Sequence, residues 1–218
     1  MGLRVRNQQA TTSSPRPGIQ GEEMAIPRTN GLRTASTTSL IAAAVLLLCG
    51  CVSTVQPPEH PADPVEVFLT EEGIHRGLVL PRTSGHVEYG YGEWDWYVMG
   101  CNEWYHVFDT VLWPTQGALG RRSYDDPRAE FKGERLTPIQ AGRAAVEALL
   151  EELDTLYESA KGSEVYNEST RMHFVRISPG FWCFFNCSDA TAAWLRRLGC
   201  HVSWVPIRGG FRVAGPQL

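Results

Sequence analysis

One apolar run near the start of the chain, S-L-I-A-A-A-V-L-L-L-C-G-C over 39–51, constrains everything after it. About a dozen apolar residues are too few for a permanent bilayer-spanning helix, which needs roughly 20. They do suit the apolar stretch of an export signal. Arg28 and Arg33 precede the run, and no acidic residue lies between them and Cys51. Residues 1–50 therefore read as a signal peptide, and the segment that folds begins after it. The opening residues, up to Glu22 and Glu23, fit no part of such a signal. A leader of normal shape begins at Met24, which implies that translation starts there. The chain of 218 residues leaves room for one domain with a real core and not comfortably for two.

The junction Leu48-Cys49-Gly50-Cys51 resembles the bacterial lipobox, in which a small residue precedes the cysteine that is lipidated. The resemblance implies cleavage between Gly50 and Cys51, a diacylglyceryl thioether on Cys51, and a membrane partner held through that lipid. A second acyl chain of the palmitate kind makes such anchoring stable. A secretory peptide cut elsewhere, or an uncleaved anchor, stays open as the alternative. The expected location is extracytoplasmic on a cell membrane. Val52 in place of Asp after the cysteine resembles the sorting pattern for the periplasmic side of the outer membrane in Gram-negative bacteria. Residues 51–64, with V-S-T-V-Q-P-P-E-H-P-A-D-P after the cysteine, are proline-rich and lack apolar periodicity. They read as an extended tether, leaving 65–218 as the globular domain.

Within that domain, Val65–Leu69 alternates and is β-rich, Ile74–Leu80 follows the Gly73 turn, and His86–Tyr91 alternates again, so three strands are expected. Trp94–Met99 continues the sheet or forms an aromatic loop. Thr137-Pro138-Ile139-Gln140 reads as a capping box opening a long helix. Ile139, Val146, Leu149, Leu150, Leu153 and Leu156 recur at helical spacing until Gly162. His173–Ile177 predicts another strand. A shorter helix follows Asn186, with Ala190, Ala193, Trp194 and Leu198 on one face and Gly199 at its end. Val202–Val205 is a candidate last strand. The expected fold class is α+β: an antiparallel sheet, one long helix, and a short helix carrying an Asn-Cys pair.

That pair carries the candidate chemistry. Cys187, in N-C-S-D-A-T-A-A-W-L, opens the short helix, where unpaired N–H groups and the positive dipole end favour a thiolate. A nucleophilic cysteine needs a base and a group to orient that base. His75 lies on the second strand, while His86 and Glu88 share one face of the third. Several cysteines and six histidines would supply such pairs by coincidence in many chains.

I-H-R-G-L-V-L-P, then H-V-E-Y, and later N-C-S-D-A-T-A-A-W-L resemble the circularly permuted papain-like group. This group includes the NlpC-type cell-wall peptidases and the lecithin–retinol acyltransferase family. The resemblance implies a histidine strand first, an orienting residue on the next strand, and a cysteine helix last. Carried across, Cys187 is the nucleophile, His75 the base and Glu88 the orienting group, with His86 as the alternative third member. H-R-G-L-V-L-P with Y-G-Y-G-E-W-D-W-Y is also similar to an uncharacterised family of bacterial lipoproteins and membrane proteins. In that family G-W-G-D stands where this chain has Gly92-Glu93 preceded by tyrosine. The match spans roughly Val65 to Gly210. It implies a lipid-anchored thiol hydrolase or acyltransferase of the cell envelope, acting on an amide or ester of peptidoglycan or lipid. The alternative is a non-catalytic envelope lipoprotein using the fold as a binding or structural module.

Other features narrow the field. A net charge of -4 without a long basic run argues against nucleic acid. With Cys51 lipidated and the leader removed, Cys101, Cys183, Cys187 and Cys200 remain, and an oxidising compartment favours pairing them. Full pairing would make Cys187 a staple instead of a nucleophile. Cys183, Cys187 and Cys200-His201 lack the paired C-x-x-C spacing of a zinc site, so neither metal nor cofactor is expected. Trp94, Trp96, Tyr97, Trp104 and Tyr105 line a groove or, more simply, fill a core. Tyr89 and Tyr91 share the face of Val87 and read as core. Arg121-Arg122 and Arg196-Arg197 read as solvated surface. His60, His106, His173 and His201 carry no motif.

Overall fold

The computed structural model describes residues 52–73, 75–101, 113–131, 136–182, 185–203 and 210–215. Cys51, Ile74, Trp104, Tyr105, His106 and Cys183, like the leader, lie outside the described residues.

In chain order the strands are β1 (Ser53–Gln56), β2 (Pro64–Glu72), β3 (His75–Pro81), β4 (His86–Glu93), β5 (Thr115–Tyr124), β6 (Leu136–Gly142), β7 (Val165–Asn167), β8 (Met172–Phe181), β9 (His201–Val202) and β10 (Phe211–Val213). The helices are α1 (Pro127–Glu130), α2 (Arg143–Ser159) and α3 (Cys187–Arg197), with a π-helical turn over Trp94–Val98. Seven strands form one antiparallel sheet in the order β6-β2-β3-β4-β5-β8-β7, and β10-β1-β9 form a small second sheet. The fold is α+β, with a large antiparallel sheet and few helices, as the sequence pattern predicts.

One face of the large sheet carries the main core. Val67, Leu69, Leu78, Leu80, Val87, Tyr89, Tyr91, Leu119 and Val175 pack with Val146, Leu149 and Leu153 of α2, with Ala190 and Leu195 of α3, and with Leu198 just after it. Each Val and Leu among them contributes about 1.5–3 kcal/mol on burial. Tyr89 and Tyr91 are core on the Val87 face, as their parity predicts. The other face is also covered, by Phe68, Val79, Tyr124 and Phe131 and by Trp94, Ala118, Met172 and Phe174. A sheet buried on both sides explains why β3 reads L-V-L without polar alternation.

Four expectations are corrected. The predicted helix start at Thr137 is instead β6, paired with β2 from Pro64↔Gly142 to Thr70↔Leu136. Because β6 is an edge strand, Pro138 removes no essential ladder bond. Ile139 and Ala141 reach the core from this strand, and the helix begins only at Arg143. The Val52–Pro64 tether is shortened, because Ser53–Gln56 form β1 with Val55 fully buried. On α3 the buried face is Ala190, Thr191, Ala192, Leu195 and Leu198, with Ala193 exposed. Arg122 is no solvated residue: its side chain is only 8% exposed and bridges Glu88.

Candidate functional site

Local hydrogen bonding explains why Cys187 opens a helix. The Asn186 side chain accepts from the Ser188 N–H at 2.8 Å, and Asp189 Oδ2 accepts from the Asn186 N–H at 3.1 Å, a reciprocal capping box. Cys187 is thereby fixed as the first residue of an eleven-residue helix. Thr191 Oγ1 donates to the Arg76 carbonyl at 3.4 Å, tying the first turns of α3 to β3. Burial pushes the Cys187 thiol above its ordinary pKa, although the Arg76 backbone N–H, the Arg76 charge and Ser188 all pull it down. The helix-end setting is as expected, yet desolvation outweighs it here.

His75 is the first residue of β3 and is buried. Its face is set by strand parity: His75, Gly77 and Val79 share it with Thr70 on β2 and with Glu88 and Gly90 on β4. The imidazole lies over Gly90, where a Cβ would come within 2.4 Å of Nε2. The Tyr97 ring, from the π-helical turn, packs against it with centroids 5.2 Å apart. Tyr97 lies in turn over Gly92, where a Cβ would meet its ring at 2.6 Å. Among the described residues, neither Nδ1 nor Nε2 of His75 has a hydrogen-bond partner. Burial lowers the His75 pKa to about 4, with Glu88 opposing that shift and Arg122 and Arg76 reinforcing it.

Glu88 is fully buried on the same face, and its carboxylate is heavily used. Oε1 accepts from Thr70 Oγ1 at 2.7 Å. Oε2 accepts from Tyr124 at 2.5 Å and from Arg122 at 2.7 and 3.1 Å. The glycine of the H-x-G motif serves this cluster, since a Cβ on Gly77 would lie 2.7 Å from Thr70 Oγ1 and 2.8 Å from Glu88 Oε1. The Gly77↔Gly90 pair thus lies between the Glu88 carboxylate and the imidazole. Glu88 acts on His75 through its field and not through a hydrogen bond. His86 starts β4 at the other end of this face, opposite Tyr124, with its ring against Phe68.

The structure therefore brings His75 and Glu88 onto one face and places Cys187 beside Arg76, the next residue of the histidine strand. It does not join the imidazole to the thiol or to Glu88 by a hydrogen bond. Tyr97 links the pair: its ring contacts His75, while its hydroxyl is pushed upward in pKa chiefly by burial and then by the nearby Cys187. Asn167 Nδ2 holds the turn by donating to the Tyr97 carbonyl at 2.8 Å and the Val98 carbonyl at 3.2 Å. Trp94 is core, with the Arg176 guanidinium 4.5 Å above its ring. Two clefts of about 400 and 450 Å³ lie elsewhere, and neither is lined by His75 or Cys187.

Sequence reasoning missed Tyr97, Thr70, Arg122 and Tyr124 as neighbours of the site. The available signal was glycine at alternate positions, Gly90 and Gly92, which leaves one strand face without side chains for others to fill. No disulfide joins Cys101, Cys187 and Cys200 to one another, and burial pushes the Cys200 thiol up to about 11. Among the described residues no group of three or more His, Cys, Asp or Glu is arranged to hold a metal ion, and no helix is long and apolar enough to cross a membrane. Compared with known proteins, the chain matches no protein-family model, no curated protein and no solved structure.

Proposed function

We propose that this chain is a lipid-anchored thiol hydrolase or acyltransferase of the cell envelope, with a circularly permuted papain-like arrangement acting on an amide or ester. One observation carries the reading: a capped helix presents Cys187 against the strand that bears a buried, unbonded His75. A resting imidazole with a pKa of about 4 is a neutral proton acceptor at neutral pH, and a raised thiol pKa leaves Cys187 protonated. Catalysis then starts from a neutral pair. The Cys187 proton passes to His75 as sulfur bonds to the carbonyl carbon. The C–N or C–O bond breaks, His75 returns the proton to the leaving group, and a thioester remains. Water or an acceptor hydroxyl or amine resolves it. In this reading the Cys187 backbone N–H stabilises the oxyanion.

In the closed arrangement Tyr97 covers the imidazole, so the reaction requires the π-helical turn to move. Such turns recur at functional sites. The second reading, a non-catalytic module, is favoured by one observation: Glu88 spends its acceptors on Thr70, Arg122 and Tyr124, leaving His75 without an orienting bond.

Iodoacetamide labelling of the full chain from pH 5 to 9, read by peptide mass spectrometry, separates the two. With His75 taking the thiol proton as sulfur reacts, the enzyme reading predicts that the rate of Cys187 labelling depends on His75 and falls when His75 is changed to Ala. A Cys187 labelling rate indifferent to His75→Ala across that range leaves only the binding module.

A further inference from the structure

The start of the folded domain lies next to the candidate site, and it leaves almost no slack before Cys51. The Ser53 N–H donates to the Gly210 carbonyl at 3.0 Å, and Ser53 is 1% exposed, so the chain is fixed two residues after the cysteine. A backbone of that length spans at most ~7 Å between Cα atoms. β1 runs parallel to β10 with Ser53 opposite Phe211 and Thr54 opposite Arg212. The Phe211 N–H donates to Glu71 Oε1 at 3.1 Å, and the same oxygen is ion-paired with Arg76, whose Nε lies 3.0 Å away. Arg76 follows His75 in β3, and its carbonyl accepts from α3. Ser53, Phe211, Glu71 and Arg76 thus form one connected edge, from the anchor end of the domain to the candidate site.

We propose that this edge is a membrane-docking face: with lipid on Cys51, it rests on the bilayer that takes the acyl chains instead of standing off on a tether. This rests on the lipid-anchor reading of Cys51. The occupant is a lipid surface because the acyl chains of Cys51 must enter a bilayer no further from Ser53 than roughly 7 Å of backbone plus the thioether–glyceryl link. The chemistry of the edge agrees with that occupant. Val52 is 47% exposed, and Arg212 is exposed beside Thr54, where it meets lipid phosphates. The Glu71 carboxylate, which would repel them, is neutralised by Arg76. The docked domain keeps its candidate site at the membrane surface, so substrates reach it from the bilayer side.

The test uses the full-length chain, processed in a bacterium and placed in phosphatidylethanolamine–phosphatidylglycerol nanodiscs that carry a gadolinium-chelate headgroup lipid. A second form has a long Gly-Ser insertion between Cys51 and Val52. The mass of the N-terminal peptide reports acylation in both. Paramagnetic broadening of backbone amides reports nearness to the bilayer. β7 is the control, four strand spacings from β3 or roughly 19 Å away. The expected result is broadening of residues 53–54, 71–73, 75–76 and 210–212 several-fold above that of β7, lost in the insertion form. Equal broadening of edge and β7 in an acylated wild-type chain overturns docking alone. Edge broadening that persists with the insertion overturns the short-anchor cause. A Cys51 peptide without acyl groups overturns the anchor reading and the docking face with it.

Discussion

Two buried polar side chains share one face of the sheet and are treated in opposite ways. Glu88, fully buried, accepts from three side chains, whereas His75, 8% exposed, has both ring nitrogens without a partner among the described residues. Burying a polar group without a hydrogen bond costs stability, roughly 1–3 kcal/mol by protein mutational measures. The Glu88 end of the face therefore behaves as structure. The His75 end holds a group that packing alone does not reward. The glycine floor shows the same contrast: Gly77 makes room for a completed network, while Gly90 makes room for an imidazole that bonds nothing.

The largest break in that comparison comes at Glu88. Changing Glu88 to Ala leaves the Arg122 guanidinium, 8% exposed, with only the Thr170 carbonyl at 2.8 Å and the more distant Glu72 carboxylate at 3.5 Å. The expected loss is about 3–5 kcal/mol, the cost of removing one partner of a buried pair. Urea unfolding checks it, and a loss below about 1 kcal/mol would place the pair with ordinary surface bridges. His75→Gln tests the other end through pH. The His75 pKa falls from 6.5 unfolded to about 4 folded, so between those values the unfolded chain binds the extra proton. Stability from this group is therefore complete above pH 6.5 and declines as pH falls toward 4. The full span corresponds to about 3 kcal/mol. His75→Gln is expected to flatten the unfolding free energy in that window while leaving the Glu88 end intact. An unchanged slope assigns the acid sensitivity to other groups.

The same contrast explains what was legible in the sequence. β2, β3, β4 and β8 announced themselves through β-rich runs, and α3 through apolar residues at helical spacing after Asn186 with Gly199 at the end. The positions of Cys187, His75 and Glu88 on a helix start and two neighbouring strands follow from those local signals. β5 did not announce itself, because T-Q-G-A-L-G-R-R-S-Y carries Gly120 where the ring of Phe174 and the Met172 methyl fill the space from β8. β6 was disguised by Thr137-Pro138, whose capping pattern is genuine but is overruled by pairing with β2. Tyr97 was hidden because its partner is chosen by a π-helical turn and a bare Gly92, neither visible as periodicity. Local chemistry writes caps and alternation; which distant side chain fills a glycine's space is settled only by packing.

A smaller effect sharpens the contrast at the cysteine. Asn186→Ala removes the cap that fixes Cys187, and is expected to cost about 1 kcal/mol of stability. It should also alter the rate of Cys187 alkylation, measured on the folded chain. A stability loss with no change in that rate would mean that the cap supports the helix without placing the thiol.

Tyr97 bears most directly on why His75 is left unbonded. If Tyr97 is what keeps water from the imidazole, Tyr97→Ala should raise the His75 pKa from about 4 toward the ordinary 6.5, because desolvation is the main cause of its depression. Asn167→Ala, which removes the donor to the Tyr97 and Val98 carbonyls, should move it the same way by less, since the ring can still close. Both are read from the imidazole resonances of His75 in an NMR titration of the folded chain. The direction of the shift matters more than its size. A rise in both variants makes the π-helical turn a cover over a usable base. A His75 pKa that stays near 4 in Tyr97→Ala means that β3, β4 and the helices bury the imidazole by themselves. In that case the two ends of the face differ in hydrogen bonding but not in role, and His75 belongs with Glu88 as a packed element of the fold.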